Sequence, residues 1–139
     1  ESWDLYDDLR ENFESLFRDL DLHYRVVNVC TGDMNDNAAK KFDLEAWFPA
    51  QNRYRELVSC SNCTDYQARK LNVRIRGEDN RTAHTLNSTA LATQRAICAI
   101  LEQNQREDGT VEVPDVLVEE GYVDFEVIEG LDRYVEEDN

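Results

Sequence analysis

Apolar residues recur every three or four positions near the start of the chain. Leu5, Leu9, Phe13, Leu16, Phe17 and Leu20 form one stripe, with Asp, Glu and Arg between them. That spacing predicts an amphipathic helix over residues 4–21, whose stripe is core packing. Ser2 stands where an N-cap would. The period then changes. YRVVNVC, 24–30, is rich in β-branched side chains and reads as a strand. TGDMNDN is turn chemistry, with room for a helical turn before Phe42. FDLEAWF (42–48) and YRELVSCS (54–61) read as two strands of a hairpin, closed by the short link 49–53.

Further along, Leu71, Val73 and Ile75 alternate with Asn72, Arg74 and Arg76. This predicts a strand over 71–76, a turn at GEDNR and a returning partner at 82–86. Residues 89–105 carry a second helical pattern, with Leu91, Cys98 and Leu101 along one side and Ile97 and Ile100 beside it. Asp108-Gly109 ends it. TVEVPDVL reads as extended up to Pro114, and the acidic tail from Glu119 is weakly specified. There is no repeat, low-complexity segment or linker. The sum is an α+β chain, an antiparallel sheet of about five strands flanked by helices.

Composition narrows the function classes. The 139 residues are one domain's worth of chain, and 41% are apolar, which suits a folded protein. No apolar run approaches membrane-spanning length and no basic-then-apolar leader opens the chain, so a cytoplasmic protein is expected. Glu1 in place of Met suggests a piece or a processed form. Thirty acidic against 15 basic residues leave a net charge of −15. Such a surface repels phosphate backbones and argues against a main nucleic-acid docking face. It fits an acid-coated protein of a salty cytoplasm, or a binder of basic partners; the even scatter of acids favours the first.

Four cysteines, Cys30, Cys60, Cys63 and Cys98, raise disulfide and zinc readings. A disulfide framework needs an oxidising compartment, and nothing here suggests one. A structural zinc site needs four ligands, and only one Cys-x-x-C pair is present. Zinc is not expected, and Cys30 and Cys98 sit in ordinary places for small buried thiols. Asn-x-Ser/Thr triplets at Asn62, Asn80 and Asn87 are cheap by chance. His84 reads as a sheet residue and not a general base, while Trp3, Trp47 and the tyrosines read as packing. There is no Gly-rich phosphate loop and no GxSxG elbow.

Two places concentrate polar groups. Glu56 and Ser59 near the end of a strand are hard-oxygen ligands of the kind Mg²⁺ takes beside a nucleotide's phosphates. Residues three apart on a regular strand point to opposite faces, so shared coordination requires a bulge between them. The plain alternative is an exposed Glu56 paired with Arg53 or Arg55. The second place is TLNSTALATQR, 85–95, a strand running into a helix. First-turn amides at 89–92 would be free donors there, Arg95 slants back toward them, and Asn87 and Thr89 offer an amide and a hydroxyl. Plain capping by Ser88 or Thr89 explains the same residues equally well.

FDLEAWFPAQNRYRELVSCSNCTDYQARKLNVRIR, followed by HTLNSTALATQRAICAILEQNQREDGTVEVPDVL, resembles the C-terminal half of the seryl-tRNA synthetase catalytic domain, of the bacterial type. VVNVCTGDM matches too, and the likeness runs from about the first helix to residue 118. TALATQR resembles motif 3 of the class II synthetases, at about 85–105, and the charge resembles the haloarchaeal version. The resemblance implies part of a class II aminoacyl-tRNA synthetase catalytic domain. It implies that Glu56 and Ser59 hold ATP and its Mg²⁺, with Leu57 and Val58 lining the nucleotide. Arg95 would lie against ATP as the catalytic arginine, and Asn87 and Thr89 would bind L-serine, Thr89 at the substrate hydroxyl. The implied reaction activates serine with ATP to seryl-adenylate and transfers it to tRNA(Ser).

Parts of the family's pattern are absent from this stretch. Motif 1, which builds the homodimer, motif 2 with its arginine and glutamate, the Thr-x-Glu and the N-terminal tRNA-binding arm all have no counterpart. EEGYVDFEV after Val118 departs from the family's Pro-Tyr-Met ending. The 139 residues alone are therefore expected not to make seryl-adenylate at a useful rate. The alternatives are a related amino acid–carrier protein ligase and a non-catalytic synthetase-like binding module, against which the five intact polar positions count.

Overall fold

The computed structural model describes residues 1–77 and 79–130. Its centre is the hairpin of β2 (Lys40–Phe48) and β3 (Arg53–Asn62), with β1 (Tyr24–Asn28) on one side and the three-residue β4 (Leu86–Ser88) on the other. All pairings are antiparallel, in the order β1-β2-β3-β4. The hairpin closes through a 3₁₀ turn at Pro49–Gln51 and Asn52, which adopts the left-handed conformation (φ 50°) that Asn tolerates. The expected class holds, with four strands in the main sheet and a separate ribbon made by β5 (Val111–Glu112) and β6 (Val127–Ile128).

Helix α1 (Ser2–Asp19) follows the predicted stripe. Its deepest residues are Tyr6 and Phe17, and Leu5 turns outward at 53% exposure. Tyr6 stacks edge-on against Phe42 at 5.1 Å, and Phe17 against Tyr24 at 5.2 Å, fixing the helix to one sheet face. Ser2 does not cap it. Glu1 is the N-cap residue, and the Ser2 hydroxyl meets His84 Nδ1 at 2.8 Å. Phe42, Leu44, Ala46 and Phe48 alternate along β2 into this core.

The chain departs from expectation in four places. TGDMNDN forms turns and no helix before β2 begins at Lys40. Residues 71–76 are not a sheet strand: Tyr66–Leu71 is a short helix, α2, ended by Asn72 at φ 54°. A single bridge, Arg74 to Thr82, pairs the two arms of the loop after α2, and Leu71, Val73 and Ile75 are exposed. Their alternation has no layer to bury against, and His84 is exposed in the loop beyond. Helix α3 (Thr93–Gln103) begins four residues later than the pattern suggests and buries Ala96 and Ala99. Cys98 is exposed, and Ile97, Ile100 and Leu101 instead line a groove with Val113, Leu117 and Phe125. Small alanines let the helix approach the sheet closely, so the largest apolar residues do not mark its inner face. After Pro114 comes helix α4 (Asp115–Glu119), and β6 gives the start of the acidic tail a partner in β5. Residues 131–139 of that tail, and Glu78 in the GEDNR turn, lie outside the described residues.

No helix among the described residues is long and apolar enough to cross a membrane. All four cysteines are free. Cys60 and Cys63 are packing thiols, at 0% and 1% exposure, whereas Cys30 and Cys98 are exposed and not the buried thiols their positions suggest. Burial pushes the Cys60 and Cys63 thiols up, which keeps them protonated and unreactive near neutral pH. Iodoacetamide at pH 8 should therefore alkylate Cys30 and Cys98 on the order of tenfold or more faster than Cys60 and Cys63. Peptide mass mapping reads this, with a denatured control in which all four react. Equal rates in the folded chain would contradict the burial.

Candidate active site

One irregularity in β3 shapes the polar face of the sheet. Leu44 pairs with Val58 and Glu45 with Glu56, leaving Leu57 without a partner in β2. This is a β-bulge, and it supplies the break that Glu56 and Ser59 need. Glu56 lies opposite Glu45, and Ser59 opposite Asp43. Residues 43 and 45 are two apart on a regular strand, so they and their partners share one face. The bulge also buries consecutive residues, Leu57 at 2% and Val58 at 0% exposure. Their side chains belong to the core, so only their backbone is available to line a ligand.

The same face carries a grid of polar residues. Lys41, Ser61 and Asn87 form one cross-strand row, Asp43 and Ser59 the next, Glu45 and Glu56 the third. Arg25 closes the grid from β1. Its guanidinium holds Glu45 at 2.7 Å and lies 4.3 Å from the centre of the Tyr54 ring. Tyr54 in turn meets Trp47 edge-on at 5.1 Å and bonds His23 Nε2 at 3.0 Å. Trp47 and Tyr54 thus pack, as expected, on the sheet's polar side.

The segment after β4 completes the free edge of β3. The Thr89 amide donates to the Ser59 carbonyl at 3.4 Å, and the Ala92 amide to that of Leu57 at 2.9 Å. The Arg95 guanidinium, through Nη1, donates to the Glu56 carbonyl at 2.6 Å. The amides at 89 and 92 are therefore not free donors for an anion. They are drawn into the sheet edge, which is why α3 starts only at Thr93. Neither Ser88 nor Thr89 caps it: the cap position is Ala92, and the Ser88 hydroxyl donates back to the Ser59 carbonyl at 3.2 Å. Among the described residues Nη1 is the only Arg95 nitrogen so engaged, leaving the rest of a five-donor fork for an anion.

The structure thus gathers Glu56, Ser59 and Arg95 around the bulge. Asn87 lies on the same face one row away, and Thr89 follows it, exposed, beside Ser59. An open cleft of about 520 Å³ runs between β3 and α3, with Glu56, Arg95, Arg55 and Gln51 on its walls. Ser59, Asn87 and Thr89 do not line it. Sequence reasoning missed Lys41 and Asp43, whose signal is the polar alternation at 41, 43 and 45 within KKFDLEAWF. Both are largely buried, and the Lys41 ammonium lies 3.4 Å from Asp43 Oδ1.

The antiparallel sheet flanked by helices fits a class II tRNA synthetase core, and the chain belongs to that family. Residues 1–104 match the tRNA synthetase class II core domain (G, H, P, S and T). Similar proteins within that family include serine–tRNA ligases. The serine–tRNA ligase of Methanospirillum hungatei is 58% identical over 121 residues, covering 84% of this chain and 28% of the relative. That of Pyrococcus furiosus is 59% identical over 120 residues, covering 84% and 26%. The crystal structure of seryl-tRNA synthetase from Pyrococcus horikoshii complexed with ATP matches with a TM-score of 0.88 at 54% identity, covering 94% of this chain and 30% of that one. The cytoplasmic serine–tRNA ligase from Naegleria fowleri, in complex with AMP, gives 0.84 at 46%, covering 94% and 31%. The two relatives compared by sequence are archaeal, so the family likeness holds while its bacterial-type qualifier finds no support in them. This chain spans under a third of the length of each.

Proposed function

We propose that this chain is the motif 3 half of a seryl-tRNA synthetase active site, whose activity belongs to a longer protein. The observation that carries the reading is the bulge at Leu57, which sets Glu56 and Ser59 on one face beside Arg95. Motifs 1 and 2, the Thr-x-Glu and the tRNA-reading arm would come from the rest of that protein, along with the homodimer contact and most of the hold on tRNA(Ser). The cytoplasm is its proposed compartment, and a high-salt one is proposed from the net charge of −15 spread along the chain.

In this reading ATP lies across the bulge. The Glu56 carboxylate and Ser59 hydroxyl are hard-oxygen donors on one face, and the neighbouring buried Asp43 Oδ1 has no hydrogen-bond partner, so the residues suit a divalent cation. Bound there with ATP, Mg²⁺ would neutralise phosphate charge. Arg95, its Nη1 anchored on the Glu56 carbonyl, would present its remaining donors to the phosphates and stabilise the charge that builds as the reaction proceeds. Asn87 and Thr89 would hold L-serine, Thr89 through the side-chain hydroxyl.

That placement implies two steps. A serine carboxylate oxygen attacks the α-phosphorus, forming the acyl–phosphate bond as the bond to pyrophosphate breaks. A hydroxyl of the tRNA 3′-terminal ribose then attacks the seryl carbonyl, and AMP leaves. Both depend on a held geometry more than on a general base.

Serine-dependent ATP–pyrophosphate exchange by the full-length protein tests this. Glu56→Gln and Arg95→Ala should each lower kcat by about 100-fold or more, the scale for removing one group that stabilises developing charge. Exchange driven by another amino acid, or unchanged rates in both variants, would contradict the reading. Exchange with serine but no charging of tRNA(Ser) would point to a carrier-protein acceptor.

A further inference from the structure

Asp43 is a carboxylate in an unusual state. The residue is 9% exposed, and Oδ1 has no hydrogen-bond partner. The Lys41 ammonium at 3.4 Å offsets its charge without meeting the geometry of a hydrogen bond. Leaving a buried acceptor unsatisfied costs about 1–3 kcal/mol, more for a charged one, so such atoms usually await a donor. The residue directly opposite, on the same face, is Ser59. Directly opposed side chains on a sheet have Cβ atoms about 5 Å apart, within reach of a hydroxyl–carboxylate hydrogen bond after a rotamer change. Among the described residues the Ser59 hydroxyl makes no hydrogen bond of its own, the bonds from the Ser88 hydroxyl and the Thr89 amide both running to its carbonyl.

A serine oxygen that gives a lone pair to a cation must turn its proton away, and that proton becomes a stronger donor. It needs an acceptor on the protein side. We propose that Asp43 is that acceptor, a positioning residue that takes the Ser59 hydroxyl proton in a hydrogen bond and aims the Ser59 lone pair at the nucleotide-bound divalent cation. This rests on the proposed ATP site at Glu56 and Ser59. It assigns β2 a part in metal binding: Asp43 fixes the ligand and adds negative charge one layer behind it, while Lys41 lies against the Asp43 carboxylate at 3.4 Å. Partners of this second kind typically change metal affinity by about 10- to 100-fold.

The test uses full-length protein and Mn²⁺, followed by electron paramagnetic resonance of the free ion, in the presence of a non-hydrolysable ATP analogue. Asp43→Asn keeps the shape and should weaken Mn²⁺ in the ternary complex by about tenfold or more. Affinity for the analogue without metal should change by no more than about twofold, which separates loss of the ligand's aim from damage to the pocket. Ser59→Ala should weaken Mn²⁺ as well, and adding Asp43→Asn to it should cost nothing further, because the two act as one unit. Should Asp43→Asn not fold, Asp43→Glu keeps the charge, displaces the oxygens and should show the same loss.

Unchanged Mn²⁺ affinity in the Asp43 variants would overturn the proposal, as would additive losses with Ser59→Ala. So would an equal loss in Lys41→Met, which would mean that Asp43 serves the lysine. If Glu56→Gln and Ser59→Ala themselves leave Mn²⁺ binding intact, the ATP-site reading fails first, and the role of Asp43 falls with it.

Discussion

A single unpaired residue, Leu57, sets the terms for the rest of this structure. In a regular strand Glu56 and Ser59 would point to opposite faces, and one of them would enter the core. The bulge shifts the phase by one position, so that Leu57 and Val58 are both buried while the polar residues on either side emerge together. The apolar core and the polar grid are therefore two consequences of one local break. The core anchors it: Val58 and Leu44 face each other at 0% exposure, leaving β3 little freedom to slip in register.

The edge of β3 depends on the same break. Beyond the three pairs with β4, its outward carbonyls at Ser59, Leu57 and Glu56 take donors in turn from Thr89, Ala92 and Arg95. The segment from Thr89 to Ala92 thus serves as an irregular continuation of the sheet before the chain becomes a helix. That explains how an exposed arginine on the first turn of α3 is held on the backbone carbonyl of Glu56, a strand residue 39 positions earlier. The Cys-x-x-C pair belongs to the supporting layer: Cys60 is in the core and Cys63 beside it, and the buried Asn62 between them spans from the Ser2 carbonyl to the Thr64 amide.

Legibility in the sequence followed burial. Helix α1 and the β2–β3 hairpin were plain because each lays a periodic apolar stripe on a shared core. The bulge was legible as a requirement of the chemistry, since Glu56 and Ser59 share a face only with one. Periodicity misled where the local pattern lacked a layer to meet, as at Leu71, Val73 and Ile75. It also misled where close packing chose small residues, as at Ala96 and Ala99 in α3. The late start of α3 was invisible because it is set by carbonyls of β3, far away in sequence. Lys41 and Asp43 escaped notice for a related reason: polar alternation on a strand reads as a solvated face, and only the structure shows these two nearly covered.

The central claim is that the bulge builds one cation-and-nucleotide site from Glu56 and Ser59. A crystal structure of the full-length protein with an ATP analogue and Mn²⁺, with the metal located by anomalous scattering, tests it most directly. The account predicts a Mn²⁺ peak within about 2.5 Å of oxygens from both Glu56 and Ser59, bridged to the phosphates and with Arg95 against them. A metal bound elsewhere, or held by the phosphates without either side chain, would contradict it.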